Sequence, residues 1–118
     1  MNSGSPPLVD WDHLGALVGD WDSEMVEIFE EFLASASEDL AGLQVLDAEP
    51  EKVRQLAHRL KGSSGNFGFA ALYATAAEIE RQAQEGRMAA DLIRLASEQF
   101  KAAREEVRRQ WKSARKPS

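Results

Sequence analysis

From Asp22 onward, apolar residues recur at three- and four-residue steps: Met25, Ile28, Phe29, Phe32, Leu33, Ala36, Leu40 and Leu43. That spacing lays one apolar stripe along a helix, and no period-two alternation competes with it. Asp22 is placed to cap this helix, with Ser23 and Glu24 in its first turn. The same logic repeats along the chain. Asp10 can cap a short helix to Val18, ended by Gly19. Asp47-Ala48-Glu49-Pro50 reads as a turn, with Pro50 where a first helical residue tolerates it. A third helix starts near Glu51, with Val53, Leu56, Ala57 and Leu60 on one side, and meets a glycine-rich run at 62–68 that must bend or end it. A fourth begins near Phe69 with Leu72, Ala76, Ile79 and Ala83 inward, stopping at Gly86. The last spans about Met88 to Lys112, with Leu92, Ala96, Phe100, Ala103, Val107 and Trp111 in register. The spacing predicts an all-α protein: an antiparallel up-down four-helix bundle with a short additional N-terminal helix.

At 118 residues the chain holds one small domain, expected over 8–113, with a flexible leader at 1–7 and a basic C-terminal tail at 114–118. Its lack of cysteine removes disulfides, thiol catalysis and thiolate metal sites, and fits a reducing compartment. No apolar run approaches the roughly 18 residues of a membrane span, and no secretory leader opens the chain. A soluble, cytoplasmic protein is expected. Residues 1–100 carry seven basic and eighteen acidic side chains, a net −11, whereas 101–118 carry +5. An acidic body repels phosphate backbones, so neither nucleic acid nor membrane is expected as partner. The basic C-terminal charges suit the macrodipole at a helix C-terminus, or an acidic surface.

The informative stretch is His58-Arg59-Leu60-Lys61-Gly62-Ser63-Ser64-Gly65-Asn66-Phe67-Gly68. At about 100° per residue, Val53, Leu56, Leu60, Ser64 and Phe67 share one side of the helix. His58, Lys61, Gly62 and Gly65 fall opposite or beside it. Interior glycine costs a helix roughly 1 kcal/mol relative to alanine, so Gly62 and Gly65 need a reason beyond helix formation. A solvent-facing imidazole can accept a phosphoryl group as a nucleophile. Lys61, one turn on, can neutralise the added charge. Gly62 leaves the surface bare for a partner's active site, and Ser63 can supply a hydroxyl. Lys52, Arg54, Arg59 and Lys61 make this helix a positive patch on an acidic protein, suited to a phosphoryl group and an acidic partner pocket.

His-x-x-Lys-Gly-Ser-Ser-(x)3-Gly-(x)3-Leu, from His58 to Leu72, resembles the signature of histidine-containing phosphotransfer (HPt) domains, the four-helix-bundle relay modules of two-component signalling. The resemblance extends over roughly residues 8–112, and Ile79-Glu80 falls where the family usually has a Leu-Glu pair. It implies His58 as phosphoacceptor, Lys61 and Gly62 as phosphate and docking support, with Arg59 and Ser63 beside them. It also implies Glu80 against the imidazole, where a carboxylate accepts one ring N–H and leaves the other nitrogen the better nucleophile. Gln84, one turn past Glu80, is a candidate for the docking face. The implied partners are response-regulator receiver domains or a hybrid sensor histidine kinase. Receivers bring the phospho-aspartate, Mg²⁺ and a charge-stabilising lysine, so the chain itself is expected to need no cofactor and no metal, and to be a monomeric phosphate carrier rather than an enzyme.

Other readings are weaker. Gly62-Ser-Ser-Gly65 matches the GxxG clamp of KH domains, but those need strands. The glycines lack dinucleotide-loop spacing, and Lys61 precedes them, the wrong order for a Walker A loop. Two distant histidines offer no metal site. His13 has no supporting context. Trp11, Trp21 and Trp111 read as core or bundle-end packing. Gly65 and Gly68 are expected to be structural, and Ser64 to point inward and bond backbone. The alternatives in function are a binding-only adaptor that docks receivers without carrying phosphate, and a fragment of a larger hybrid kinase. Retention of His58, Lys61 and Gly62 together argues against the adaptor.

Overall fold

A computed structural model of the protein describes residues 5–45 and 49–115; residues 1–4 of the leader, 47–48 of the expected turn and 116–118 of the tail lie outside the described residues. Five helices follow in order: α1 (Trp11–Val18), α2 (Ser23–Leu43), α3 (Pro50–Asn66), α4 (Ala70–Gln84) and α5 (Ala90–Arg115). Local chemistry sets the starts. The Asp10 carboxylate accepts from the His13 backbone N–H at 3.2 Å and that of Asp22 from Met25 at 2.8 Å, each satisfying one orphan donor of a first turn. Pro50 opens α3, where its missing N–H costs nothing.

The glycine-rich run ends α3, as expected, but only at its far side: the helix continues through Gly62 and Gly65 and ends at Asn66, and Gly68 turns the chain at φ +71°. A Cβ at Gly68 would lie 3.0 Å from the Asp10 carbonyl oxygen, so this turn admits only glycine. Onto it docks the N-terminal segment. The Asp10 N–H donates to Gly68 O at 2.7 Å, and the Ala71 N–H, an orphan of the α4 start, donates to Pro7 O at 2.9 Å. Ordered contact therefore begins inside the expected leader. His13, unassigned from sequence, lies with Nε2 2.9 Å from Asn66 O and pins α1 to the C-terminus of α3.

The core joins α2, α3, α4 and α5 through Phe29, Leu33, Ala36, Val53, Leu60, Leu72, Ala76, Ile79, Ala96, Phe100 and Val107, all buried. One end is closed by aromatics. Phe32 stacks on Phe67 with centroids 4.4 Å apart, Trp21 stacks on Trp111 at 5.8 Å, and Phe29 touches both clusters edge-on. Two stripe positions differ from the sequence reading. Ile28 is 41% exposed because its neighbour Phe29 takes the inward position, and Ile93 rather than Leu92 is the buried residue of the first turn of α5. Trp11 is half-open to solvent, its indole N–H donating to Glu106 at 2.8 Å. α5 starts at Ala90 rather than Met88 and continues through Arg115, so the tail expected from residue 114 begins inside the helix. No helix among the described residues is long and apolar enough to cross a membrane.

Around the bundle, α3 packs most closely on α4, and the α2–α5 seam is the most open of the four. α2 and α3 are tied by one buried charge. Asp39, only 1% exposed, accepts from Arg59 Nε at 3.0 Å and from a second guanidinium nitrogen, both through Oδ1. Its Oδ2 has no partner among the described residues. A carboxylate this buried is tolerable only while paired. Arg59→Ala strands it, whereas Asp39→Asn leaves a guanidinium that reaches water. Thermal unfolding should therefore show a larger fall in Tm for Arg59→Ala than for Asp39→Asn, and a double variant less damaged than the two losses added. Equal, additive losses would show the pair to be an ordinary surface contact.

Candidate functional site

His58 lies midway along α3, and the short turn through Gly68 folds α4 back so that Glu80 comes opposite it. The imidazole Nδ1 is 2.8 Å from Glu80 Oε2. An ionised carboxylate only accepts, so the ring carries its proton on Nδ1 and presents the Nε2 lone pair outward. Side-chain exposure is 64% for His58 and 10% for Glu80: the imidazole faces solvent and the carboxylate that holds it does not. The other oxygen of the same carboxylate, Oε1, accepts from Lys61 Nζ at 2.8 Å. One buried carboxylate thus holds both an imidazole and an ammonium, one turn apart on α3.

The electrostatics agree. Burial pushes the Glu80 carboxyl up, but the hydrogen bonds from Lys61 and His58 outweigh it and leave the group below the ordinary carboxylate value. Lys61 is raised, chiefly by its hydrogen bond to Glu80. A carboxyl lowered on folding contributes stability above its unfolded pKa and loses it as pH falls through the folded value. The Glu80 carboxylate and the Lys61 ammonium are therefore both charged at neutral pH.

Beside the imidazole the surface is bare. A Cβ built on Gly62 would meet nothing within 4 Å, whereas one on Gly65 would press to 3.1 Å from the Tyr73 ring. Gly65 thus sits tight against the Tyr73 ring of α4, whereas packing places no demand on Gly62. The remaining sequence candidates are placed less centrally. Ser63 is half-buried and its hydroxyl donates to Leu60 O at 3.2 Å. Arg59 turns to Asp39 on the α2 side rather than joining the His58–Glu80–Lys61 cluster. Gln84 is exposed one turn beyond Glu80. Ser64 points inward as expected, but its Oγ has no hydrogen-bond partner among the described residues. Asp39 escaped the sequence reading, although a charged residue inside the stripe between Ala36 and Leu40 was a legible sign that a buried partner was needed. Among the described residues, no group of three or more His, Asp or Glu side chains is arranged to hold a metal ion.

A four-helix bundle displaying one exposed, carboxylate-held imidazole on its tightest seam defines the class of phosphate-carrying helical modules. The chain belongs to the Hpt domain family, which matches residues 27–110. It is similar in structure to histidine-containing phosphotransfer protein B (HptB) from Pseudomonas aeruginosa PAO1, with a TM-score of 0.79 and 26% sequence identity over 91% of this chain and 96% of that one. No curated protein sequence matches it. The protein is a histidine phosphotransfer domain of a phosphorelay, and domains of this family carry phosphoryl groups between receiver domains and kinases.

The bare surface at Gly62 gives a direct check. Gly62→Ala should stabilise the protein by about 0.5–1 kcal/mol in thermal or urea unfolding, since a methyl meets no neighbour and helical propensity rises. Gly65→Ala, pressed against Tyr73, should give no such gain. A destabilised Gly62→Ala would mean that the glycine serves packing and not access.

Proposed function

We propose that His58 is the phosphoacceptor and that the reacting atom is Nε2. The observation that carries this reading is the Nδ1–Glu80 hydrogen bond, which leaves Nε2 as the unprotonated, outward nitrogen. In the forward step, Nε2 attacks the phosphorus of a receiver's aspartyl phosphate. The N–P bond forms as the acyl P–O bond breaks, and the receiver regains a free carboxylate. The imidazole keeps its Nδ1 proton and becomes cationic, a charge that Glu80 is placed to stabilise in the transition state and product. Lys61 lies one turn along, able to exchange its Glu80 contact for a phosphoryl oxygen. Gly62 leaves room for the receiver, with Arg59, Ser63 and Gln84 at the rim of the docking face. The reverse step regenerates neutral His58, so the carrier works in both directions.

On this reading the chain supplies a positioned nucleophile and its carboxylate, and the partner supplies the Mg²⁺ and the remaining charge stabilisation. It acts as a monomeric phosphate carrier, not an enzyme, with residues 8–113 as the transfer unit and 1–7 and 114–118 outside it. Its partners are response-regulator receivers or a hybrid sensor kinase, in the cytoplasm, with no role for nucleic acid or membrane.

Incubation with a phosphorylated receiver and Mg²⁺, followed by non-acidic peptide mapping, should place one acid-labile phosphoryl group on the His58 peptide. His58→Gln should abolish it while circular dichroism stays helical; an adduct on that variant would overturn the assignment, and binding without transfer by the native chain would favour the adaptor. Glu80→Gln should fold and slow acceptance on the order of tenfold to a hundredfold, the range that loss of a carboxylate partner costs metal-ligating histidines. Lys61→Ala should also slow transfer, and unchanged kinetics would remove Lys61 from the site.

A further inference from the structure

The basic charges late in the chain are not explained by the helix dipole alone. α5 ends at Arg115, and Lys101 and Arg104 lie about three turns or more before that end, beyond the last turn where the dipole acts. Arg108 holds Glu30 at 2.9 Å, but these two are not neutralised locally. Arg54, Arg59, Arg81, Arg87 and Arg94 each hold a carboxylate, as an acidic protein readily allows. Lys101 and Arg104 hold none among the described residues. Both line a groove of about 200 Å³ in the open α2–α5 seam.

The groove gathers cations and hydrogen-bond donors. The Arg104 guanidinium sits over the Phe100 ring, 5.5 Å from its centroid, which fixes it at the wall, and its Nε is buried without an acceptor. Gln44 Nε2 donates to Ser97 Oγ at 2.6 Å, so the Ser97 hydroxyl is free to donate its own hydrogen. Ser37 adds a second hydroxyl from α2. The donors and two cations thus converge on one small space, with no carboxylate among the lining residues.

We propose that this groove is a second docking site, which receives a carboxylate side chain from an acidic peptide segment of a partner protein. Its volume is below the roughly 300–1,000 Å³ of small-molecule pockets and suits one side chain. Basic residues continue along the adjoining surface of α5: Arg109 and Lys112 line it beside Glu105, together with Arg108, which is held by Glu30 at 2.9 Å. Lys101 to Lys112 spans about 16 Å of helix, the length of about five extended residues, which a single small anion would leave unmatched. The seam lies across the bundle from the α3–α4 face, so a segment held here leaves His58 open to a receiver. The site is independent of the assignment of His58.

The test uses a fluorescein-labelled hexaglutamate peptide and amide NMR on the full chain. The protein carries a net charge of −6 and should repel such a probe unless a local site captures it. Binding should shift the amide signals of Ser37, Gln44, Ser97, Lys101 and Arg104. Lys101→Glu and Arg104→Glu should each weaken it about tenfold or more, with phosphate acceptance unchanged. Lys52→Glu, on α3, should weaken it little. No binding, shifts centred on α3, or equal loss from Lys52→Glu would overturn the proposal. So would full competition by equimolar inorganic phosphate, which would mark a small-anion site, or capture by phosphatidylserine vesicles abolished by Lys101→Glu, which would mark a lipid surface.

Discussion

The antiparallel register of α3 on α4 is the constraint on which the rest depends. Three residues, Phe67 to Phe69, join the two helices, and Gly68 alone supplies the positive φ that so short a turn needs. Once the turn is set, partners follow by position: Gly65 faces Tyr73, and His58, two turns further from the turn, and Lys61, one turn further, both face Glu80. A slip of one residue would rotate Glu80 by about 100° away from the imidazole. The aromatic cluster around Phe29 and the contacts of Asp10 and His13 at the turn hold this register from outside. The N-terminal helix therefore serves the site without touching it.

Glu80 shows how one buried charge can be affordable. A lone carboxylate at its depth would be protonated or expelled, yet two donors on α3 reach it, one for each oxygen. The resulting group fixes an imidazole tautomer and stores a lysine beside it. Asp39 solves the same problem differently. It meets Arg59 through one oxygen and leaves the other without a partner, which suits a tie between helices and offers nothing to a ligand. Neighbouring residues 58 and 59 thus face different seams of the bundle.

Much of this was legible in the sequence because it depended on local spacing. Caps at Asp10 and Asp22, the stripes of α2 and α4, and the exposure of His58 follow from helical periodicity with no tertiary information. Periodicity is weaker where two adjacent apolar residues compete for one inward position, as at Ile28–Phe29 and Leu92–Ile93; packing against the opposite helix decides between them. The glycine run does end α3, but only at Asn66, because propensity is a per-residue cost that the contacts of α3 with α4 offset through Gly62 and Gly65. Side-chain pairs between helices, such as Arg59 with Asp39 and His13 with Asn66, needed the register itself and lay beyond any local pattern.

The two glycines of α3 separate structure from function in a way that sequence alone does not. Both cost the helix the same conformational entropy, but only Gly65 returns it, by letting Tyr73 and its helix come close. Gly62 has open space where its side chain would be, so nothing within this chain benefits from its absence. An uncompensated local cost, one turn from an imidazole already oriented by a buried carboxylate, is explained by something that approaches from outside. On the proposed reading of His58, the empty surface at Gly62 and the orientation of Nε2 are two parts of one adaptation: the second presents the nucleophile, and the first clears its path.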